Sequence, residues 1–476
     1  MKVLFAASEA VPFSKTGGLA DVAGTLPAAL RNAGADVALF LPKYRSSGGI
    51  QLGLTGYGGG ISAGGKVLEY NVLEDGAGTF LIDCPELFDR GEIYGTASGD
   101  YSDNPLRFSF FCRAVLEAAI SMDLRPDVVH VNDWQTALIP LYLKTLFRGA
   151  LPDSASVLTI HNLGYQGLFP PTSIWDTGLP ESLYNSGTIE FYGKVNFLKA
   201  GIVFSDAIST VSPAYAGEIL MPENGFGLDG VLRDRADDLY GIVNGLDYRQ
   251  WDPSSDSLIP QVYSVDNMGG KAASKKAFSA KAGFDDMDRP LAGVVSRLAH
   301  QKGIDLVAIA GREMVKMGLN VAILGRGDQG LEDSLRELSS EFPGNFWVSL
   351  KHDERAAREV YAASDMFLMP SRYEPCGLSQ LISMRYGAIP VARATGGIVD
   401  TVDDYSPLGG GTGFTFKGDD SESLTGCLGR ALRVFKDRSK WAALVKSAMR
   451  AEFTWGASAG KYIELYEKTM ARAGRA

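Results

Sequence analysis

Short apolar runs rich in β-branched and aromatic residues alternate with helix-period patterns along this chain, and the alternation occurs twice. That is the signature of βαβ units building a mainly parallel sheet. In the first half, strands are expected at Lys2 to Ala7, Asp36 to Leu41, Thr79 to Asp83, Asp127 to Val131, Val157 to Ile160 and Ala207 to Val211. A helix is expected over Gly18 to Ala33, where Leu19, Val22, Leu26 and Ala29 recur at steps of three and four. A second series starts near Pro290, with strands at Leu291 to Ser296, Val321 to Leu324, Phe346 to Leu350, Met366 to Pro370 and Pro390 to Ala394. The glycine-rich segment Ser46 to Lys66 breaks the rhythm and reads as loop or hairpin without an assigned role, and the polar stretch Trp251 to Asn267 reads as a linker. A chain of 476 residues exceeds what one core usually supports. Two α/β domains are therefore expected, over residues 1–240 and 241–453, with a terminal helix over 454–476 crossing back to the first.

Composition removes several classes of function. A net charge of -10 disfavours a grip on nucleic acid, which needs a basic stripe to displace phosphate counterions. No apolar run is long enough for a spanning helix, and Val3 to Ala7 is too short for a secretory core, so no membrane partner and a cytoplasmic location are expected. Cys84, Cys112, Cys376 and Cys427 lie far apart, with no C-x-x-C pair to suggest a disulfide framework or a zinc site. His130, His161, His300 and His352 lack metal-binding spacing, and His352-Asp353-Glu354 reads as an exposed polar turn. No metal is expected.

In open parallel sheets ligands bind beyond the carboxyl ends of the strands, where loops and helix N-termini converge. After the first strand comes Ser14-Lys15-Thr16-Gly17-Gly18-Leu19, a glycine pair that opens a helix whose N–H groups attract anions, with Lys15 adding a full positive charge. After the first strand of the second half, Arg297 and Lys302 share one loop that ends at Gly303 and could straddle a diphosphate. Two later loops follow strands in the same way, Ser371-Arg372-Tyr373-Glu374-Pro375-Cys376-Gly377 and Thr395-Gly396-Gly397. In the first half, Asn132-Asp133-Trp134 and His161-Asn162 end strands with polar groups that suit a sugar, although Asp133 could equally cap a helix and His161 be structural. Gly325 to Gly330 matches G-x-G-x-x-G but falls on the second strand of its sheet, so a glycine-rich turn beside a nucleotide is preferred to a dinucleotide fingerprint.

Together, Lys15-Thr16-Gly17-Gly18-Leu19, the Arg297 to Gly303 loop, Glu374-Pro375-Cys376-Gly377-Leu378 and Thr395-Gly396-Gly397 resemble the ordered motifs of bacterial glycogen synthases and plant starch synthases. The resemblance implies two Rossmann-like domains facing across a deep cleft, the GT-B architecture. It implies transfer of glucose from ADP-glucose to the non-reducing 4-hydroxyl of an α-1,4-glucan, with retention, release of ADP and no cofactor. Carried over by motif, Lys15, Arg297 and Lys302 would hold the diphosphate, helped by Gly17, Gly18 and the Thr395, Gly396 and Gly397 amides. Glu374, within the loop that includes Cys376, Gly377 and Leu378, would bind the transferred glucose. Asp133, His161 and Asn162 would orient glucose or acceptor, Glu9 would lie near the same site, and Tyr373 would stack near the base. Many related transferases carry a second glutamate eight positions after the first; here that position is Ile382. A UDP-sugar-dependent transferase, a phosphorylase of similar architecture and a non-catalytic glycan-binding or sugar-nucleotide-binding protein stay open as alternatives.

Overall fold

A computed structural model of the chain describes residues 1–96, 98–351 and 353–474. It divides into two compact units, Met1–Gly245 with Trp455–Ala476, and Leu246–Thr454.

The first unit is built on a nine-stranded sheet whose middle strand is Lys2–Ala6. Parallel partners flank it: Phe5 pairs with Leu39 on one side and with His130 on the other. Beyond Val128–Asn132 lie Ala155–Ile160, Ala207–Thr210 and Leu239–Gly241. Beyond Asp36–Pro42 lie Thr79–Asp83 and then an antiparallel hairpin, Lys66–Glu74 with Gly53–Ala63. The glycine-rich segment therefore contributes the outer strand of an edge hairpin to the main sheet. The inner strands are buried almost throughout, as expected when helices cover both faces of a parallel sheet. Helix Gly18–Asn32 turns Leu19, Val22, Ala23, Leu26 and Leu30 inward. The last helix, Trp455–Arg472, packs Trp455, Tyr462, Leu465 and Tyr466 into the same core. His130 links it to the sheet, with Nδ1 2.6 Å from Tyr466 Oη and Nε2 2.6 Å from Thr159 Oγ1.

The second unit carries a six-stranded parallel sheet, in the order Phe346–Ser349, Asn320–Leu324, Leu291–Val295, Met366–Met369, Ile389–Arg393, Phe414–Phe416. Residues 251–267 belong inside this unit, which corrects the linker reading. Ile259 and Tyr263 are part of its core, and buried Asp256 accepts from Arg358 Nη1 at 3.1 Å and from Tyr386 Oη. The stretch is polar because its polar groups bind partners inside the fold. Among the described residues no helix is long and apolar enough to cross a membrane, and no group of three or more His, Cys, Asp or Glu could hold a metal ion. His352 lies outside the described residues.

Candidate functional site

In each of the two main sheets the winding direction of the parallel strands reverses at one pair of neighbours. In the second unit it reverses between Leu291–Val295 and Met366–Met369, and in the first between Lys2–Ala6 and Val128–Asn132. Loops leaving the carboxyl ends of two such strands part in opposite directions and leave a crevice. Glu9 and Lys15 follow one strand of the first pair and Asp133 follows the other; Arg297 and Lys302 follow one strand of the second pair and Glu374 follows the other.

In the second unit the Lys302 ammonium lies 2.6 Å from Glu374 Oε2, and Ser371 Oγ donates to the same oxygen at 3.1 Å. Glu374 is only 4% exposed. Buried charges are retained where a partner compensates their lost hydration, so this carboxylate is tied to its lysine. The helix after it starts only at Ser379, with Leu378 at the capping position, so Glu374 is not the helix's N-terminal charge partner. Gly397 N–H donates to the Glu374 carbonyl at 2.9 Å, so this amide is already engaged and is not offered to an anion. A Cβ on Gly397 would stand 2.3 Å from the Cys376 carbonyl oxygen, which explains the glycine by close packing of the two loops. Gln380 Nε2 holds the same Cys376 carbonyl at 2.8 Å. Gly377 takes a left-handed φ of 73°, Thr395 and Gly396 are buried, and Tyr373 is half-buried. Arg297 is exposed. The G-x-G-x-x-G turn backs its loop: a Cβ on Gly325 or Gly327 would stand 1.9 Å from the Ser296 carbonyl or 2.0 Å from that of Leu298. Those glycines serve packing between loops.

In the first unit Glu9 is buried and accepts from the Thr16 amide and, at 2.9 and 3.0 Å, from Thr16 Oγ1. Burial raises its pKa while the Thr16 bonds oppose the rise. The carboxylate thereby fixes the turn carrying Lys15, Gly17 and Gly18, with Gly17 capping the helix. The Lys15 ammonium is 2.7 Å from Asp21 and about half exposed. Asp133 does not cap the helix it begins. Its Oδ1 accepts from the His161 amide at 2.7 Å and lies 3.5 Å from that of Asn162, joining two strand ends. It holds a left-handed φ of 56°, a conformation that costs a residue with a Cβ about 1–2 kcal/mol. Burial pushes its pKa up to about 7, with the neighbouring Glu9 adding to the rise.

His161 Nε2 lies 2.9 Å from Asn132 Oδ1, while Asn132 Nδ2 donates to the Ala6 carbonyl at 3.0 Å. An amide oxygen only accepts, so this network assigns the proton to Nε2 and leaves the lone pair on Nδ1. Burial pushes the imidazole pKa down to about 3, so the ring is neutral at pH 7. The sequence marks Asn132 only as one of the polar groups at a strand end and gives no role to Ser371 or to Tyr94, whose hydroxyl is 2.7 Å from Ser8 Oγ. Asn132 and Ser371 sit inside quoted motifs without a signal of their own, and Tyr94 lies in a turn with no periodic pattern.

Residues 2–234 match the family model of the starch synthase catalytic domain and residues 275–446 that of glycosyl transferases group 1. The chain is 45% identical to a glycogen synthase of Geotalea daltonii and 42% identical to one of Thermotoga maritima, each alignment covering 100% of both proteins. The structure resembles the catalytic domain of starch synthase IV from Arabidopsis thaliana, solved bound to ADP and acarbose, with TM-score 0.90, 33% identity and coverage of 98% of this chain and 99% of that one. Sucrose-phosphate synthase from Thermosynechococcus elongatus shares the fold, with TM-score 0.61 at 18% identity, 99% of each chain being covered. The chain belongs to the glycogen synthase family of glucosyltransferases and has the GT-B fold.

Proposed function

We propose that this enzyme transfers glucose from ADP-glucose to the 4-hydroxyl at the non-reducing end of an α-1,4-glucan, in the cytoplasm, with retention of configuration and release of ADP. The observation that carries the reading is the Lys302–Glu374 contact of 2.6 Å at a switch point of a parallel sheet, with Arg297 on the same loop as Lys302. A carboxylate held against a cation suits a donor whose sugar offers hydroxyls and whose leaving group is a diphosphate. The ADP in the starch synthase IV structure supports the same donor class.

As the C1–oxygen bond breaks, positive charge grows on the sugar ring and negative charge on the departing phosphate. Fixed cations and amides at that phosphate lower the barrier because they meet more charge in the transition state than in the ground state. Arg297, Lys302 and Lys15 take this role, with the Gly17, Gly18, Thr395 and Gly396 amides assisting. Glu374 holds glucose hydroxyls, within the loop of Cys376, Gly377 and Leu378, and Tyr373 stacks near the base. Neutral His161 accepts a sugar hydroxyl at Nδ1, with Asp133, Asn162 and Glu9 ordering its surroundings. Ile382 stands where many relatives carry a second glutamate, so the reading gives no attacking role to a paired carboxylate of the kind retaining glycosidases use.

The test is incubation with a short maltooligosaccharide and either ADP-glucose or UDP-glucose, in the presence of chelator, followed by chain-length and linkage analysis. Extension by α-1,4-linked glucose from ADP-glucose, with ADP released, is the expected result. Faster extension from UDP-glucose would reassign the donor. Binding of the oligosaccharide without extension from either donor would overturn transfer.

A further inference from the structure

The loop that carries Lys302 and the loop that carries Glu374 are tied together by one side chain that sequence reasoning passed over. Arg372 forks onto Asp305, Nη1 to Oδ1 and Nη2 to Oδ2 at 2.8 Å each. Nη1 also donates to the His300 carbonyl at 2.6 Å, and Nε donates to Asp419 at 3.2 Å. The Arg372 backbone N–H donates to the Gln301 carbonyl at 2.8 Å, and its own carbonyl accepts from Arg393 Nη1 at 2.7 Å. His300, Gln301 and Asp305 bracket Lys302, while Arg372 stands beside Ser371 and two residues before Glu374. The guanidinium therefore grips the chain on both sides of one site residue and is covalently close to the other.

We infer that Arg372 is a positioning residue for glucosyl transfer: its fork onto Asp305 sets the separation between the cation loop that meets the diphosphate and the carboxylate loop that meets the glucose. The inference rests on the phosphate-holding reading of Arg297 and Lys302. Nε, Nη1 and Nη2 each donate to a protein oxygen, so Arg372 acts through Lys302 and Glu374. The residue type follows from the geometry, because a planar fork matches a carboxylate at two points, whereas a lysine offers one point charge on a flexible stem. Catalytic groups displaced by about 1 Å can lose about 100-fold in rate, so a latch of this kind controls turnover without touching substrate.

Arg372→Ala, Arg372→Lys, Asp305→Asn and the Arg372→Ala/Asp305→Asn double variant of the full chain test it. Donor and acceptor kinetics are normalised to the folded fraction and thermal midpoints are recorded alongside. The expected result is a loss of about 10- to 100-fold in kcat/KM for ADP-glucose in each alanine or asparagine variant, with acceptor KM unchanged. Arg372→Lys falls in between, and the double variant is no worse than the more damaged single, because both changes break one contact. If Arg372→Ala does not fold, Arg372→Lys and Asp305→Asn carry the same test. Normalised donor kinetics equal to wild type, an acceptor KM that rises as far as the donor kcat/KM falls, or additive losses in the double variant would each overturn the inference. Arg297→Ala and Lys302→Ala separate the two levels. If they lose turnover while the Arg372 variants keep it, only the latch fails; if they too keep it, the phosphate reading has failed and the latch with it.

Discussion

Asp133 is the residue whose environment departs furthest from its expectation as a polar strand end. It sits in a left-handed conformation, buried, accepting from the amide of a neighbouring strand end, with its pKa pushed up from 3.8 to about 7. An acid whose pKa is raised by folding binds its proton more tightly in the native state, so stability falls as pH rises through that interval and levels off above it. Denaturant titrations from pH 4 to pH 8 should show this fall between about 4 and 7. Asp133→Asn should flatten it, since asparagine tolerates the same backbone conformation and can still accept from the His161 amide. A slope unchanged in the variant would mean that another group is responsible. The sequence marked Asp133 and His161 because polar residues ending buried strands stand out by position. It could not show that Asn132 sets the tautomer of His161, since that depends on the Ala6 carbonyl holding the amide from across the sheet.

At the scale of elements, buried polar clusters decide how irregular segments dock. Arg358, on the helix Glu354–Ala363, is 5% exposed at its side chain and pairs with Asp256, which is 2% exposed, while Tyr386 Oη also donates to Asp256. Asp256→Ala removes the buried acceptor shared by Arg358 and Tyr386 while Arg358 keeps Glu354 at 2.8 Å and the Gln250 carbonyl at 2.6 Å, so it should cost about 1–3 kcal/mol in urea unfolding. A loss below about 1 kcal/mol, the range of an exposed pair, would contradict the buried-network account. This cluster also explains a limit of sequence reading. Polarity in 251–267 resembled a linker because patterns report composition, and burial of a paired aspartate is a tertiary event. The glycine-rich hairpin Gly53–Ala63 with Lys66–Glu74 was open between loop and hairpin for a similar reason, since its glycines hide the alternation that marks a strand. Inner strands such as Leu291–Val295 and Met366–Met369 were legible because burial on both faces demands an unbroken apolar run.

For the molecule as a whole, the chain carries a net charge of -10 and yet brings Arg297, Lys302 and Arg372 to adjoining loops at one sheet end. Their sequence separation hid the Arg372–Asp305 fork, which joins positions 67 apart, whereas the motif residues were visible because each follows a strand. If those cations receive the nucleotide, ADP should stabilise the protein by about 2.7 kcal/mol at a hundred times its Kd. Calorimetry should show a raised unfolding temperature that shrinks in Lys302→Ala; an equal shift in the variant would place ADP elsewhere. The central claim is that fixed cations stabilise the departing diphosphate, and turnover of Lys15→Ala, Arg297→Ala and Lys302→Ala with ADP-glucose and a maltooligosaccharide tests it most directly. Each should lose about 100- to 1,000-fold in kcat, or about 3–4 kcal/mol of barrier lowering, with the fold intact by circular dichroism. Wild-type turnover in all three folded variants would contradict it.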